Sequence, residues 1–128
     1  MRALVIVDAA NVVGSVPDGW WRDRRGAAER LRDRLAAFAP VGVPGHPGPV
    51  ELVLVVEGAA RAVESVPDVR VESAPGSGDD LIVELASARE AGRECVVITA
   101  DRELRRRVEA QGAQCLGPRS VQPPGDRT

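Results

Sequence analysis

Lysine is absent from this chain: its 17 basic residues are all arginine. That absence excludes mechanisms built on a lysine amine, among them Schiff-base formation and the phosphate-gripping lysine of a P-loop. It also removes the lysine of phospho-receiver domains, another small α/β class with an acidic pocket. Histidine occurs once, as His46 in a Gly/Pro-rich stretch, and no role is assigned to it. The two cysteines, Cys95 and Cys115, have no metal-like spacing; both fall in apolar strand patterns, where buried free thiols are expected. No apolar run approaches the roughly 18 residues needed to cross a bilayer. The opening Ala3-Leu4-Val5-Ile6-Val7 meets Asp8 too soon for a secretion leader, so a buried strand, no membrane partner and a cytoplasmic location are expected. Charge of neither sign dominates, with 17 basic and 19 acidic residues giving a net −2. Such a balance neither announces nor excludes a nucleic-acid partner, because local patches matter more than the sum. There is no Walker pattern and no G-x-G-x-x-G, so no nucleotide cofactor is expected.

What is present suits one globular domain: 128 residues, 44% of them apolar, in many short aliphatic runs. Residues 3–7 are apolar throughout, the mark of a central parallel strand covered on both faces. A helix is expected over residues 22–38, with Ala27, Ala28, Leu31, Leu35 and Phe38 as its apolar stripe. Pro40 ends it, and residues 41–49 read as a loop. A second strand at 51–56, a short helix at 59–65 and a third strand at 69–73 follow. After the turn Pro75-Gly76-Ser77-Gly78 comes a helix over 79–90, then a fourth strand at 95–99, a helix over 102–109 and a short edge strand at 114–116. Residues 1–116 form the expected domain, and 117–128 read as a flexible Pro/Gly-rich tail. The alternation predicts a three-layer α/β/α fold around a five-stranded, mainly parallel sheet. Sequence alone does not fix strand order. The most economical doubly wound order is 3-2-1-4-5, which places the first and fourth strands side by side where sites form at carboxyl ends.

Acids collect at those ends. Asp8 follows the first strand directly, and Asp101 follows the fourth with Ala100 between. Asp79 and Asp80 open the helix after the third strand, and Glu84 lies four residues beyond Asp80, on the same helical face. Clustered carboxylates raise one another's pKa, and a divalent cation relieves that repulsion. Oxygen donors without paired His or Cys suit Mg²⁺ or Mn²⁺, and Asp8, Asp80 and Asp101 are the expected ligands. Each acid also has a plainer reading: Asp79, Asp80 or Asp101 as helix caps, Glu84 as a solvated residue. Asp8 is hardest to explain that way, since a carboxylate joined to a buried strand is desolvated unless something binds it. Asn11, three residues on, can hold Asp8, meet a phosphate or simply make a turn. Ser77 and Thr99 offer hydroxyls to a carboxylate or a phosphate oxygen. Trp20 and Trp21 precede Arg22, Arg24 and Arg25, a pairing that suits base stacking and phosphate contact as well as packing over a sheet edge. Arg102 stands beside Asp101 and can guide a polyanion or merely face water.

The segments Val7-Asp8-Ala9-Ala10-Asn11-Val12-Val13, Gly78-Asp79-Asp80 with Glu84, and Val97-Ile98-Thr99-Ala100-Asp101 followed by Glu103-Leu104 together resemble the NYN family of PIN-like nucleases, more closely its YacP-like branch. The resemblance covers about residues 1–116. It implies a metal-dependent ribonuclease with the 3-2-1-4-5 sheet. Asp8 matches the first-strand aspartate, Asn11 its partner asparagine, Asp80 the acid opening the central helix, and Asp101 the aspartate after the fourth strand. Two departures stand out. Glu103 occupies a position where many relatives carry aspartate, and Ala9-Ala10 replaces a frequent Gly-Tyr.

The leading expectation is hydrolysis of RNA phosphodiesters at a Mg²⁺ or Mn²⁺ ion held by Asp8, Asp80 and Asp101, with Asp79 or Glu84 orienting water. Trp20, Trp21, Arg22, Ser77, Thr99 and Arg102 are the expected substrate contacts. Two alternatives stay open: an RNA-binding module whose catalysis has decayed, motivated by Glu103, and a phosphohydrolase of nucleotides or other phosphomonoesters. RNA is the expected partner, and a homodimer is left open.

Overall fold

A computed structural model describes residues 1–122. Strand β1 (Ala3–Asp8) runs directly into a one-and-a-half-turn helix α1 (Ala9–Gly14). A 3₁₀ turn at Trp20–Arg22 leads to α2 (Arg24–Leu35), which is followed by the short α3 (Phe38–Val41). A hairpin of β2 (Gly42–Val43) and β3 (His46–Pro47) precedes β4 (Val50–Val56). A 3₁₀ turn at Gly58–Ala60 precedes β5 (Val69–Ser73), and α4 (Gly78–Ala88), β6 (Cys95–Ile98), α5 (Arg102–Glu109) and β7 (Gln114–Leu116) complete the domain.

The main sheet is five-stranded and parallel throughout, in the order β5-β4-β1-β6-β7. With the hairpin strands set aside, this is the expected 3-2-1-4-5. Strand alternation divides the core into two layers. Val5, Val7, Leu52, Leu54, Val96 and Ile98 meet Val12, Ala28, Leu31 and Leu35 on one face. Leu4, Ile6, Val53, Val55, Cys95 and Val97 meet Ile82, Ala86, Leu104 and Val108 on the other. All six residues of β1 are buried, which is why its sequence shows no polar alternation.

The structure departs from the sequence expectations in six places. Residues 9–14 are helical rather than loop, because Asp8 accepts from the Asn11 N–H at 3.4 Å and so caps the turn. The next helix begins at Arg24, where Asp23 caps it through the Gly26 N–H at 2.9 Å, and it ends at Leu35. The stretch 41–49 holds the hairpin, and a single 3₁₀ turn stands where a helix over 59–65 was expected. Cys115 is only half-buried, unlike Cys95. Finally, residues 117–122 are not detached from the core: Pro118–Val121 forms a 3₁₀ turn, with Val121 and Gln122 buried. The remainder of the expected tail, 123–128, lies outside the described residues.

The hairpin is specified by glycine. Gly42 has φ +88°, and a Cβ there would collide with backbone atoms of His46, Pro47 and Gly48. Gly45 has φ +79°, but a Cβ there would meet open space. Gly45→Ala should therefore cost only the conformational strain, about 1 kcal/mol. Gly42→Ala adds a backbone clash and should lower the urea midpoint distinctly further. Equal midpoints for the two variants would show that the hairpin closes without this close approach.

Candidate functional site

Asp8, Glu57 and Thr99 stand at the carboxyl ends of β1, β4 and β6. Their positions continue the alternation Leu4-Ile6-Asp8, Val53-Val55-Glu57 and Cys95-Val97-Thr99, so all three belong to the sheet face covered by α4 and α5. Asp8 is 7% exposed and Thr99 is fully buried. The Thr99 hydroxyl donates to Asp8 Oδ2 at 2.9 Å and accepts from the Asp101 N–H at 3.1 Å. The loop from β6 to α5 is thereby tied to β1 through one side chain. A second tie runs from the Ala100 N–H to Asn11 Oδ1 at 2.7 Å. Asn11 thus holds Asp8 through its backbone N–H, while its side chain fixes the loop bearing Asp101.

Burial pushes the Asp8 carboxyl up to about 6 from the ordinary 3.8, and the negative charges of Asp79 and Glu57 add to the rise. The Thr99 and Asn11 hydrogen bonds oppose it. Asp79 is raised as well, first by burial and then by the charges of Asp101 and Glu57, against the opposing pull of Arg107. Asp8, Asp79, Asp101 and Glu57 therefore form one interacting acidic set. Asp79 also sits in the first turn of α4, where the helix dipole favours a negative charge.

Asp80 also adds to the rise at Asp79, as the smallest of the causes, but it is itself engaged by a cation. Its carboxylate accepts from Arg107 Nη2 at 2.9 Å, which pins α4 to α5 on an exposed flank. Glu84 is exposed one turn further along α4. The cap of α4 is Ser77, whose Oγ accepts from the Asp79 N–H at 3.1 Å, so neither Asp79 nor Asp80 caps the helix. Asp101 does cap α5, taking the Glu103 and Leu104 N–H groups on Oδ1 at 2.9 and 3.1 Å. The cap reading of Asp101 thus holds. Glu103 is exposed in the first turn of α5, with Arg106 3.9 Å from its carboxylate. Arg102 is exposed beside it.

Glu57 was not among the residues singled out in the sequence. Its carboxylate takes the Gly78 N–H at 2.5 Å, tying the end of β4 to the start of α4. The signal was available: an acid directly after the apolar run Leu52–Val56, the same relation that singled out Asp8.

The opposite flank of this edge is a cleft of about 360 Å³ between α1, the Trp20–Arg22 turn and the Gly58–Ala60 turn. Trp20 and Arg24 line it, and Glu57 closes it toward the acids. Trp21 is 54% exposed and stands edge-on to Trp20 at 6.0 Å. The Arg22 guanidinium lies 5.8 Å from the centre of the Trp21 ring, and that of Arg24 lies 5.5 Å from that of Trp20.

The carboxylate donors fit a hard divalent cation in kind. Among the described residues, however, no three His, Cys, Asp or Glu side chains are gathered closely enough to hold one as they stand. Asp79 and Asp101 would have to turn toward Asp8 around an ion.

No family model matches the sequence, and no curated protein is significantly similar to it. Solved structures are similar. Rae1 (YacP) from Bacillus subtilis superposes with a TM-score of 0.73 at 20% identity, over 94% of this chain and 71% of that one. Its W164L mutant gives 0.67 at 19% identity, over 92% and 70%. The chain therefore has the fold of a YacP protein, in agreement with the resemblance carried by the sequence motifs. No helix among the described residues is long and apolar enough to cross a membrane.

The raised pKa of Asp8 makes a stability prediction. Below pH 3.8 the carboxyl is protonated whether the chain is folded or not, and it costs nothing. As pH rises from 3.8 to about 6 the unfolded chain ionises first and stability falls; above 6 the full penalty, about 3 kcal/mol, is in place. Asp8→Asn removes that titration and loses a hydrogen bond at every pH. Relative to wild type, the variant should therefore be more stable at pH 7.5 than at pH 4, by about 2 kcal/mol in paired urea melts. A difference independent of pH would mean Asp8 is not strained in the folded protein.

Proposed function

We propose that the chain is a ribonuclease of the NYN type, close to the YacP-like branch, which cleaves RNA phosphodiesters with a bound Mg²⁺ or Mn²⁺ ion. The observation that carries this reading is the acidic set itself: Asp8, Asp79, Asp101 and Glu57 interact at the carboxyl edge beside the first and fourth strands of the sheet order. Asp8, Asp79 and Asp101 are the residues that would hold the ion, with Asp79 taking the place first expected of Asp80. When bound, such an ion polarises the scissile phosphate and lowers the pKa of an attacking water.

The chain's own groups do the rest. Thr99 keeps Asp8 ionised and oriented, and Asn11 and Asp101 fix the loop that closes the site. Glu57 holds the start of α4 so that Asp79 stays beside Asp8. Exposed Trp21 and Arg22 are placed to stack on a base and to pair with a phosphate, and Arg102 adds positive charge beside Asp101.

Labelled RNA should be cut with Mn²⁺ and not with EDTA. Asp8→Asn and Asp79→Asn should each slow cleavage by about 100-fold or more. Asp101→Asn should do the same while the helix stays capped, since asparagine caps as well as aspartate. Asp80→Asn should change the rate only slightly, because it removes an exposed ion pair. Mn²⁺ should also raise the melting temperature of wild type at pH 7.5 and leave that of Asp8→Asn unmoved. Cleavage that persists in EDTA, or in pure Asp8→Asn, rejects the mechanism.

A second reading, RNA binding without turnover, is favoured by one observation: three acids do not converge without movement. RNA affinity with no products in either metal would support it. Release of phosphate from mononucleotides alone would point instead to a phosphohydrolase. Under either reading in which RNA is bound, Trp21→Ala should weaken RNA binding by about 1–3 kcal/mol. Its melting temperature should hardly move, because the ring is 54% exposed. A large loss of stability with unchanged affinity would end the case for Trp21 as a contact.

A further inference from the structure

The cleft beside the acidic set has the composition of a binding site. Ala10 and Val13 of α1 give it apolar lining, Trp20 an aromatic wall, and Arg24 and Arg61 two guanidiniums. Trp20 rests against Gly14, where a Cβ would lie 3.7 Å from the ring. The far wall is held in shape by Arg61, which donates from Nε to the Ala74 carbonyl at 3.0 Å and from Nη2 to that of Pro75 at 3.1 Å. Ser73 Oγ donates back to the Arg61 carbonyl at 2.5 Å. Gly58 and Gly76 also line the cleft, and a Cβ at either would meet nothing within 4 Å. Among the described residues Arg24 has no carboxylate partner; its guanidinium lies over Trp20 alone.

We propose that this cleft is a subsite for one unpaired nucleotide, its base against Trp20 and its phosphate on Arg24. The observation behind it is the placing of an aromatic face and an unpaired guanidinium around an apolar floor. Its volume, about 360 Å³, lies near the lower end of small-ligand pockets and admits one extruded nucleotide but not a helix. Charge selects the same ligand: an aromatic face with a cation above it takes a flat base beside an anion. Glu57 lines the cleft and also acts on Asp8 and Asp79, so an occupant lies next to the acids. As a subsite for the RNA substrate, this assignment rests on the ribonuclease reading. It selects single-stranded substrate and adds Arg24 to Trp20, Trp21 and Arg22, the contacts expected on this side from the sequence, so that Trp20 and Arg24 take one nucleotide and exposed Trp21 and Arg22 a neighbouring one.

The test separates binding from catalysis. In a Trp21→Phe background Trp20 is the only indole, and its fluorescence can be followed in EDTA as 5′-AMP, 5′-CMP or the corresponding nucleosides are added. Saturable quenching by the monophosphates is expected, with the nucleosides about tenfold weaker. Arg24→Gln should remove that tenfold advantage and leave nucleoside binding unchanged. Ala10→Leu, on an exposed position of α1, should fill the cleft and abolish quenching at unchanged melting temperature. Absence of saturable quenching up to millimolar nucleotide overturns the subsite, as does full quenching in Ala10→Leu. If nucleotides bind but no RNA is cut, the subsite stands and the ribonuclease reading falls. If RNA is cut equally well by wild type and Ala10→Leu, the ribonuclease reading stands and the subsite falls.

Discussion

The hydrogen bond from Thr99 to Asp8 organises the functional end of this molecule. A carboxylate attached to a strand buried on both faces loses most of its hydration, and few groups at that position can restore it. The Thr99 hydroxyl supplies one hydrogen bond and at the same time accepts one from Asp101, so the side chain that sustains the Asp8 charge also positions the next acid. The adjacency of β1 and β6 is a precondition. Val7 pairs with Ile98, and the following residues, Asp8 and Thr99, are therefore level across the gap. Sheet order, strand register and site geometry are thus one fact seen at three scales.

The strain at Asp8 is a cost that folding alone gives no reason to keep. Asp8 is raised to about 6 because its hydrogen bonds do not make up for burial and for the neighbouring acids. Several outer acids of this chain have arginine partners, as Glu51 does with Arg93 at 2.6 Å and Asp80 with Arg107. Among the described residues the inner acids make no such pair, although Arg107 eases the charge on Asp79, and they press on one another. Unrelieved like charge at a cleft is a pattern expected of sites that take a cation or a proton as part of their work.

Much of this was legible in the sequence because burial writes itself plainly into strands. Apolar runs ending in Asp8 and in Thr99-Ala100-Asp101 marked two neighbouring strand ends, and Val69–Ser73, Arg102–Glu109 and Gln114–Leu116 were located to the residue. Helical detail was less legible. Adjacent residues on a helix differ by about 100° in direction, so Asp79 and Asp80 could be told apart only once α4 was set against the sheet and Arg107 was seen to take Asp80. Glu57 followed its strand as Asp8 follows β1, yet it belonged to no motif and was passed over. Helix α1 was missed because Ala9–Gly14 is too short to display a period, its start depending on a cap from Asp8. Val121 was lost among prolines, although it is fully buried against the α1 and α2 side of the core.

The charge arrangement also bears on how a polyanion can approach. Four interacting acids repel a phosphate backbone, and the chain as a whole offers no compensating excess, at −2. Attraction must therefore be local. Arginines do flank the acidic edge on two sides: Arg22, Arg24 and Arg61 around the tryptophans, and Arg102 at the start of α5. The guanidiniums beside the rings combine charge with a flat stacking partner, which suits a strand whose bases are free rather than paired. Arg107, by contrast, is engaged by Asp80 and holds the two helices of the other layer together. The basic residues near the acidic edge thus divide into those that brace the scaffold, Arg107 and Arg61, and Arg22, Arg24 and Arg102, which make no ion pair among the described residues; on the proposed ribonuclease reading the second group is the one available to an anionic strand.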